Sequence, residues 1–173
     1  MYTPEYTPTG EEVAVITTNK GVIKVQLTGK DTPIHVGNFV ELAEQGFYND
    51  TKFHRFEPNF VIQGGDPQTK DLSSEAVASA SPYSGLGTGG PGHYIKGEFM
   101  TNPNNRHLDC AVGMARSQHP DSAGSQFYFC LGEQAFLDPN YTVFGQTLEG
   151  QDVIHSLAKG DVIEKIEIEN KAG

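Results

Sequence analysis

The segment FHRFEPNFVIQGGDP, residues 53–67, places an arginine, Arg55, among aromatic and aliphatic side chains. A guanidinium stays charged and presents a rigid fork of N–H donors, which suits a site that needs a fixed hydrogen-bond donor. A charge normally costs free energy in so apolar a run, so its position needs a reason. A surface arginine whose aliphatic stem lies along apolar neighbours is the alternative, and this segment alone leaves both interpretations open.

Other residues that could do chemistry give weaker signals. His54 could act as a base, but a histidine with a structural role is the preferred interpretation. GLGTGG, residues 85–90, lacks the Gly-Lys-Ser/Thr of a phosphate-binding loop and indicates a glycine-rich turn. Ser125 lies in GSQF without the GxSxG pattern of a serine hydrolase, which argues against that class. No zinc site is expected, because close metal-ligand spacing is absent among the histidines at positions 35, 54, 93, 107, 119 and 155.

The composition limits the function classes. A chain of 173 residues is long enough for one domain with a substantial core. Its formal net charge of −10 argues against a nucleic-acid binder, and no apolar run is long enough to span a membrane. The polar start does not resemble a signal peptide, so a cytoplasmic location is expected, although a processed exported protein would look similar. Cys110 and Cys130 form no CxxC pattern and are expected to be reduced, packed thiols.

Hydrophobic patterns predict many short strands and two helices. Residues 13–27 indicate a β-hairpin with a short glycine-containing loop. Residues 32–46 indicate a helix capped by Thr32 and ended at Gly46. QDVIHSLAKG indicates a second helix, and further strands are expected in TKFHRFEPNFVIQGGD, CAVGMA, SQFYFCLG, YTVFGQTL and EKIEIEN. Strands do not alternate regularly with helices, which favours a closed antiparallel barrel or sandwich with two covering helices.

Several motifs occur together: FHRFEPNFVIQGGDP, GTGGPG, GMARS, GSQFYFCL and FLDPNYTVFGQ. In this order they make the chain resemble a cyclophilin, a peptidyl-prolyl cis-trans isomerase, from about Val13 to the C-terminus. The resemblance implies a mainly β fold, a closed eight-stranded antiparallel β-barrel capped by two α-helices. The domain would cover residues 13–173, after a polar tail of residues 1–12, with an inserted loop at about 67–86. The implied activity is rotation about X-Pro peptide bonds in assistance to protein folding, without metal or cofactor.

The resemblance also assigns the site, residue by residue. Arg55 matches the family's catalytic arginine, which would donate to the imide nitrogen as amide resonance is lost in the twisted transition state. Gln63 would hydrogen-bond the substrate backbone or orient Arg55. The other substrate-binding positions would line a shallow groove on the outside of the barrel; they are Phe60, Val61, Ala115, Arg116, Gln126, Tyr128, Phe136, Leu137 and Tyr141. A place in the ordinary barrel core is the alternative for Phe60, Tyr128 and Leu137.

Five of these positions depart from the best-known eukaryotic pattern. Val61 replaces a methionine, Arg116 an asparagine, and Tyr128 a phenylalanine, which adds a hydroxyl that needs a partner. Phe136 stands where many cyclophilins have a tryptophan that donates a hydrogen bond to cyclosporin. The chain has no Trp, so weak cyclosporin binding with retained catalysis is expected. Tyr141 in place of a histidine agrees with a bacterial-type member.

The expected partners are proline-containing peptides and unfolded or flexible protein clients, bound by a monomer, with no nucleic acid and no membrane. Two other functions stay open, a module that only binds proline motifs and a chaperone-like holdase. The intact Arg55, Phe60 and Gln63 favour the enzyme. The inserted loop is long for a compact cyclophilin, and its sequence allows a short helical turn near residues 74–80. It is interpreted either as a segment that tunes substrate choice or binds a partner, or as a neutral surface insertion.

Overall fold

The chain begins its folded core with an antiparallel hairpin. The computed structural model describes residues 1–172, and in it β1 (Val13–Thr18) pairs with β2 (Gly21–Leu27) across the short loop at Asn19 and Lys20. Alternate side chains of both strands are buried, so one face of the hairpin covers the core while the other meets solvent. The hairpin predicted from the sequence is therefore confirmed.

Seven more strands extend this hairpin into one sheet. They are β3 (Thr51–Lys52), β4 (Arg55–Glu57), β5 (Val61–Gly64), β6 (Ala111–Met114), β7 (Phe127–Cys130), β8 (Val143–Glu149) and β9 (Val162–Glu169). The strand order is β3-β9-β1-β2-β8-β6-β7-β5-β4, and every pairing is antiparallel. The predicted mainly β, antiparallel fold is thus correct.

The predicted closure into eight strands is wrong in detail. Strands β3 and β4 are consecutive in the chain but lie at opposite ends of the strand order. The backbone N–H of Phe53 donates to Asp161 beside β9, whereas that of His54 donates to Gln63 on β5. The edges of the curled sheet therefore meet at residues 53 and 54, where one expected strand is interrupted. The result is nine strands with an incomplete ladder rather than a closed eight-stranded barrel.

Within residues 1–172, three helices pack around the sheet, the two predicted ones and a one-turn helix. They are α1 (Pro33–Glu44), the one-turn α2 (Ser74–Ala78) and α3 (Gln151–Ser156), and 3₁₀ turns occur at Pro67–Thr69 and Ala135–Leu137. In residues 1–172, no helix is both long and apolar enough to cross a membrane. Helix α2 lies inside the inserted segment, at the place where the sequence allows a short helical turn.

The start of α1 is capped differently from the prediction. The Thr32 hydroxyl does not cap the helix but donates to the Thr28 carbonyl at 3.0 Å. The Glu98 carboxylate, from a distant loop, instead accepts the N–H groups of Ile34 at 3.0 Å and His35 at 2.7 Å. A carboxylate suits this position because the first N–H groups of a helix lack intrahelical partners. Tertiary contact has replaced the local cap.

The inserted segment, residues 67–86, is held against the barrel at both ends. Asp66, which is fully buried, accepts the N–H groups of Gln68 at 2.8 Å and Gly87 at 2.6 Å. Farther along, the Lys159 ammonium donates to the Ala80 carbonyl at 2.7 Å. One carboxylate therefore closes the loop, and the loop returns the chain to the glycine-rich stretch that follows it.

An aromatic cluster around Phe39 forms the centre of the core. We predict that Phe39→Ala lowers the free energy of unfolding by about 3–5 kcal/mol. The Phe39 ring lies 5.1, 5.7 and 5.3 Å from the rings of Tyr48, Phe127 and Phe144, and all four are buried. Urea unfolding checks the loss. The control Val22→Ala, at a side chain 46% exposed, should change stability by about 0.5 kcal/mol or less. Equal losses in both variants would contradict this account of the core.

Candidate active site

Strand register places the candidate residues in one row across the outer face of the sheet. Arg55 on β4 pairs with Gln63 on β5, Gln63 pairs with Tyr128 on β7, and Tyr128 pairs with Gly113 on β6. Residues directly opposite each other in neighbouring strands project to the same face. The sequence FYFC in β7 therefore divides its side chains, and Phe127 turns to the core while Tyr128 turns to the outer row.

Arg55 lies at the outer end of this row on the edge strand β4. Its side chain is 48% exposed, its Nε lies 4.0 Å from the Glu57 carboxylate, and its guanidinium carbon lies 5.7 Å from the centre of the Phe60 ring. At the edge the charge remains partly hydrated, so it does not carry the cost of full burial. The charged group of Arg55 therefore stays at the surface, against one aromatic ring of the apolar run, that of Phe60.

The predicted residues line a groove of about 440 Å³ beside Arg55. Tyr128 and Leu137 are 4% and 8% exposed and form its floor, while Phe136, 68% exposed, stands at the rim and stacks on Phe60 with ring centres 5.6 Å apart. The complete lining is Arg55, Phe60, Val61, Gln63, Ala115, Arg116, Tyr128, Phe136, Leu137, Asn140 and Tyr141. The groove thus combines an apolar floor with the Arg55 guanidinium at its side.

Gln126 is the one predicted residue that falls outside this groove. It lies in a neighbouring cleft of about 610 Å³, where its side-chain nitrogen donates to the Gly89 carbonyl at 2.8 Å. The Gln63 amide donates to the Gln126 oxygen at 3.0 Å, and Gln63 lines both spaces. The two glutamines therefore form a hydrogen-bonded link between groove and cleft.

A buried hydrogen-bond chain supports the floor of the groove. The Tyr128 hydroxyl lies 2.8 Å from Nε2 of His107, and Nδ1 of His107 lies 2.7 Å from the Asp138 carboxylate. An Nδ1–H donor to Asp138 leaves Nε2 to accept the Tyr128 proton. Burial lowers the pKa of His107 below its usual value, although Asp138 opposes this shift, so the neutral imidazole is favoured. The hydroxyl that needed a partner has one.

Arg116 is held along the rim by backbone carbonyls. Its guanidinium donates to Asn140 O at 3.1 and 2.7 Å and to the carbonyls of Ser117 and Gln118 at 3.0 Å each. The same group lies 4.5 Å from the centre of the Tyr141 ring. Because the guanidinium N–H groups bind these carbonyls, the Arg116 side chain has a fixed position. It thereby holds the Tyr141 ring and the loop at Asn140 in place.

Sequence reasoning missed the supporting residues His107, Asp138 and Asn140. His107 and Asp138 are 31 positions apart in sequence, and neither carries a recognisable spacing to Tyr128. A useful signal was the tyrosine itself, since a hydroxyl in an apolar floor requires a buried partner. Asn140 lies in the FLDPNY motif, but its contribution is a backbone carbonyl, which side-chain identity cannot indicate.

One group of potential metal ligands occurs in residues 1–172, outside the groove lining. Ligand atoms of Asp109, Cys110 and His155 lie within 4.8 Å of one another. Asp109 already accepts the Gly132 N–H at 2.8 Å and contacts His155 at 2.9 Å. Burial raises the pKa of the Cys110 thiol to about 12, which disfavours the thiolate that metals bind. These contacts account for the cluster without a metal.

Cys110 and Cys130 are both free and buried, as predicted.

Comparisons with known proteins agree with this geometry. The profile of the family described as cyclophilin type peptidyl-prolyl cis-trans isomerase/CLD matches residues 13–171. A peptidyl-prolyl cis-trans isomerase from Helicobacter pylori is 43% identical over 155 residues, covering 88% of this chain and 84% of the relative. One from Synechococcus elongatus is 38% identical over 157 residues, covering 90% and 94%.

A solved structure shares the fold as well. The crystal structure of a Cryptosporidium parvum cyclophilin, obtained in the presence of the dipeptide Ala-Pro, superposes with a TM-score of 0.75 at 27% identity and covers 92% of this chain and 99% of that one. With a sheet of the same kind and a family match over nearly its whole length, the chain belongs to the cyclophilin-type peptidyl-prolyl cis-trans isomerases.

Close packing at Gly113 generates a prediction about the groove floor. A Cβ at this position would overlap the Tyr128 ring, which lies directly over strand β6. We expect Gly113→Ala to displace the ring, lower the free energy of unfolding by about 1–3 kcal/mol and reduce isomerase kcat/KM. Urea unfolding and peptide exchange rates measure the two effects.

The matched stability control is Gly90→Ala, since a Cβ at Gly90 would meet nothing within 4 Å. It should unfold at nearly the same urea concentration as the original protein. If Gly113→Ala is as stable and as active as the original protein, Tyr128 does not need the space above β6.

Proposed function

We propose that this isomerase accelerates rotation about X-Pro bonds through Arg55, with the proline ring held on the floor formed by Val61, Tyr128 and Leu137. One observation supports this above all others, namely that the Arg55 guanidinium lies at the side of a groove whose floor is apolar. A five-membered apolar ring fits such a floor, and the amide next to it then comes within reach of the guanidinium.

The chemistry needs no covalent intermediate. Amide resonance sets a rotational barrier of about 18–20 kcal/mol. When the imide twists, its nitrogen loses conjugation and regains a lone pair, which can accept a hydrogen bond that the planar ground state cannot. An Arg55 donor aimed at this nitrogen therefore binds the transition state more strongly than the substrate, and each 1.36 kcal/mol of that difference gives a factor of ten in rate.

The rest of the groove fixes the peptide around the rotating bond. Gln63, beside Arg55, presents its amide to the substrate backbone, and its bond to Gln126 holds it in place. Ala115, Arg116 and Gln126 border the residues that precede proline, and Phe136 and Tyr141 close the rim of the groove. The Cryptosporidium parvum cyclophilin was crystallised in the presence of Ala-Pro, which is consistent with proline as the recognised residue. The clients are proline-containing peptides and flexible or unfolded segments, acted on by a monomer in the cytoplasm.

The role of Arg55 is tested by NMR exchange spectroscopy on a short Ala-Pro-Phe peptide. We expect rapid cis/trans exchange with the original protein and a fall of about 100-fold or more with Arg55→Ala, the loss typical of a removed transition-state donor. Arg106→Ala is the matched control, because Arg106 is an exposed arginine outside the groove lining, paired with Glu133 at 3.9 Å. Its exchange rate should not change.

Three outcomes separate the candidate functions. Loss of exchange in Arg55→Ala alone supports the enzyme and its assigned donor. Binding of the peptide with slow exchange in every variant would favour a module that only recognises proline motifs. Binding of unfolded chains that lack proline, together with slow exchange in every variant, would favour a holdase. In the second and third cases the isomerase role of Arg55 is rejected.

We also expect weak cyclosporin binding, because Phe136 offers a ring but no N–H donor. Phe136→Trp should tighten cyclosporin binding by up to about tenfold, the worth of one added hydrogen bond. Isothermal titration calorimetry measures the change. Tyr83→Trp, at a side chain 96% exposed in the inserted segment, is the control for a tryptophan added elsewhere. If the two variants bind cyclosporin equally, the missing indole does not limit the affinity.

A further inference from the structure

The stretch before β1 is an extended strap packed on the domain, not a loose tail. We define the strap as residues 2–10. Its exposure alternates residue by residue, with Tyr2, Pro4, Tyr6 and Pro8 partly buried and the residues between them exposed. Such a period of two is that of an extended chain with one face against a surface. The sequence YTPEYTPTG supplies a tyrosine or a proline at the packed positions 2, 4, 6 and 8.

The strap is fastened to helix α1 by Glu41. This carboxylate accepts the Tyr2 hydroxyl at 2.5 Å and the backbone N–H groups of Glu5 at 2.8 Å and Tyr6 at 2.9 Å. Gly37, one turn before Glu41, permits the approach, because a Cβ there would come within 2.8 Å of the Tyr6 carbonyl. Three hydrogen bonds to one carboxylate therefore set the course of the strap along α1.

A second carboxylate fixes the other end. Glu12 is fully buried and accepts the Tyr6 hydroxyl at 2.6 Å and the N–H groups of Thr9 at 2.8 Å and Gly10 at 3.0 Å. Burial alone would raise the pKa of Glu12, but these hydrogen bonds outweigh it and hold the pKa below the ordinary value. The ionised acid thus anchors the strap at neutral pH.

Through Tyr2 the strap reaches the wall of the cleft beside the active-site groove. The Tyr2 N–H donates to the Tyr94 carbonyl at 2.8 Å, and its ring lies 4.1 Å from the imidazole of His93. His93 is held from behind by Asn38, whose oxygen lies 2.7 Å from Nε2, and Asn38 in turn donates to Gly124 O at 2.8 Å. Tyr2 therefore packs against His93 and Tyr94, two residues that also line the cleft.

Three spaces adjoin one another between the proline groove and the strap. The groove and the 610 Å³ cleft share Gln63, Ala115 and Arg116. The cleft in turn shares His93 and Tyr94 with a third hollow of about 510 Å³, lined by Met1, Tyr2, His93, Tyr94, His119 and Asp121. A peptide long enough to run from the groove past Ala115 and Arg116 would therefore meet the hollow at Tyr2.

We propose that this hollow is an additional substrate subsite, in which Tyr2, His93 and Tyr94 receive an aromatic or large apolar side chain of a client segment that precedes the proline. The inference rests on the proposed function and names a further determinant of its specificity. Tyr94 is 61% exposed although it borders a concave surface, and the neighbouring Tyr2 and His93 rings pack on each other with centres 4.1 Å apart. The hollow is therefore lined by aromatic groups, which favour contact with a further ring. Asp121 already accepts the Gly97 N–H at 2.8 Å, so the hollow does not depend on a cationic ligand.

Two peptides test the proposal by NMR titration and exchange. One is the short Ala-Pro-Phe peptide, and the other extends it with five preceding residues that include a phenylalanine. The original protein should bind the longer peptide about fivefold more tightly, and Tyr2→Ala should abolish this gain while the dissociation constant of the short peptide stays the same. Tyr2→Phe keeps the ring and should retain the gain, and Tyr83→Ala removes an exposed aromatic elsewhere and should change neither constant.

A loss of binding in Tyr2→Ala could come from a folding defect, so the subsite is also tested by peptide contacts in the original protein. Nuclear Overhauser effects should join the phenylalanine ring of the long peptide to the side chains of His93 and Tyr94. The subsite is rejected if these contacts are absent, if the longer peptide binds no more tightly than the short one, or if Tyr2→Ala weakens both peptides equally. A failure of the original protein to accelerate exchange in either peptide would instead overturn the proposed function.

Discussion

The register of β5 on β7 is the constraint on which both core and groove depend. Side chains alternate between the two faces of a strand, so the same pairing that sends Ile62, Phe127 and Phe129 inward sends Gln63 and Tyr128 outward. A slip of one residue would place a glutamine in the core and phenylalanines in the groove. Burial of the inner aromatic side chains therefore specifies the outer row, and the free energy that folds the sheet also positions the site.

Buried hydrogen bonds hold the side chains that the strand register places in the outer row. Tyr128 is nearly inaccessible, and a hydroxyl without a partner in such surroundings costs about 1–3 kcal/mol. His107 and Asp138 provide a chain of hydrogen bonds that ends at the more exposed carboxylate, so each polar atom of the chain has a partner. In the same way, the buried Asp66 carboxylate accepts backbone N–H groups from both ends of the inserted segment. Carboxylates thus order segments that have no regular secondary structure.

Sequence patterns predicted what depends on local order and left out what depends on distant partners. The hairpin, the stop of α1 before Gly46 and a strand at 127–130 follow from turn chemistry and hydrophobic patterns, and the structure has them, whereas the outward side of that strand followed only from the motif. The Thr32 cap did not follow, because Glu98 competes for the same N–H groups from far along the chain. The strand count failed for a similar reason, since the break at residues 53 and 54 is set by where two sheet edges meet. Motif resemblance placed ten of the eleven expected side chains around one groove.

The exposed position of Arg55 limits how much of the rate enhancement it can supply. Uncatalysed isomerisation takes tens to hundreds of seconds, so turnover in milliseconds requires an acceleration of about 10⁵, or about 7 kcal/mol. One fixed donor contributes about 2.7–4 kcal/mol in a site closed to water, and partial hydration of the guanidinium reduces this amount. The remainder has to come from the groove, through an apolar floor that immobilises the proline ring and rim groups that hold the neighbouring backbone while one bond turns. When the peptide covers Arg55, it also excludes water and strengthens the hydrogen bond to the imide nitrogen. On this argument the floor at Tyr128 and the donor at Arg55 act as one unit, and their effects on the rate should not be additive.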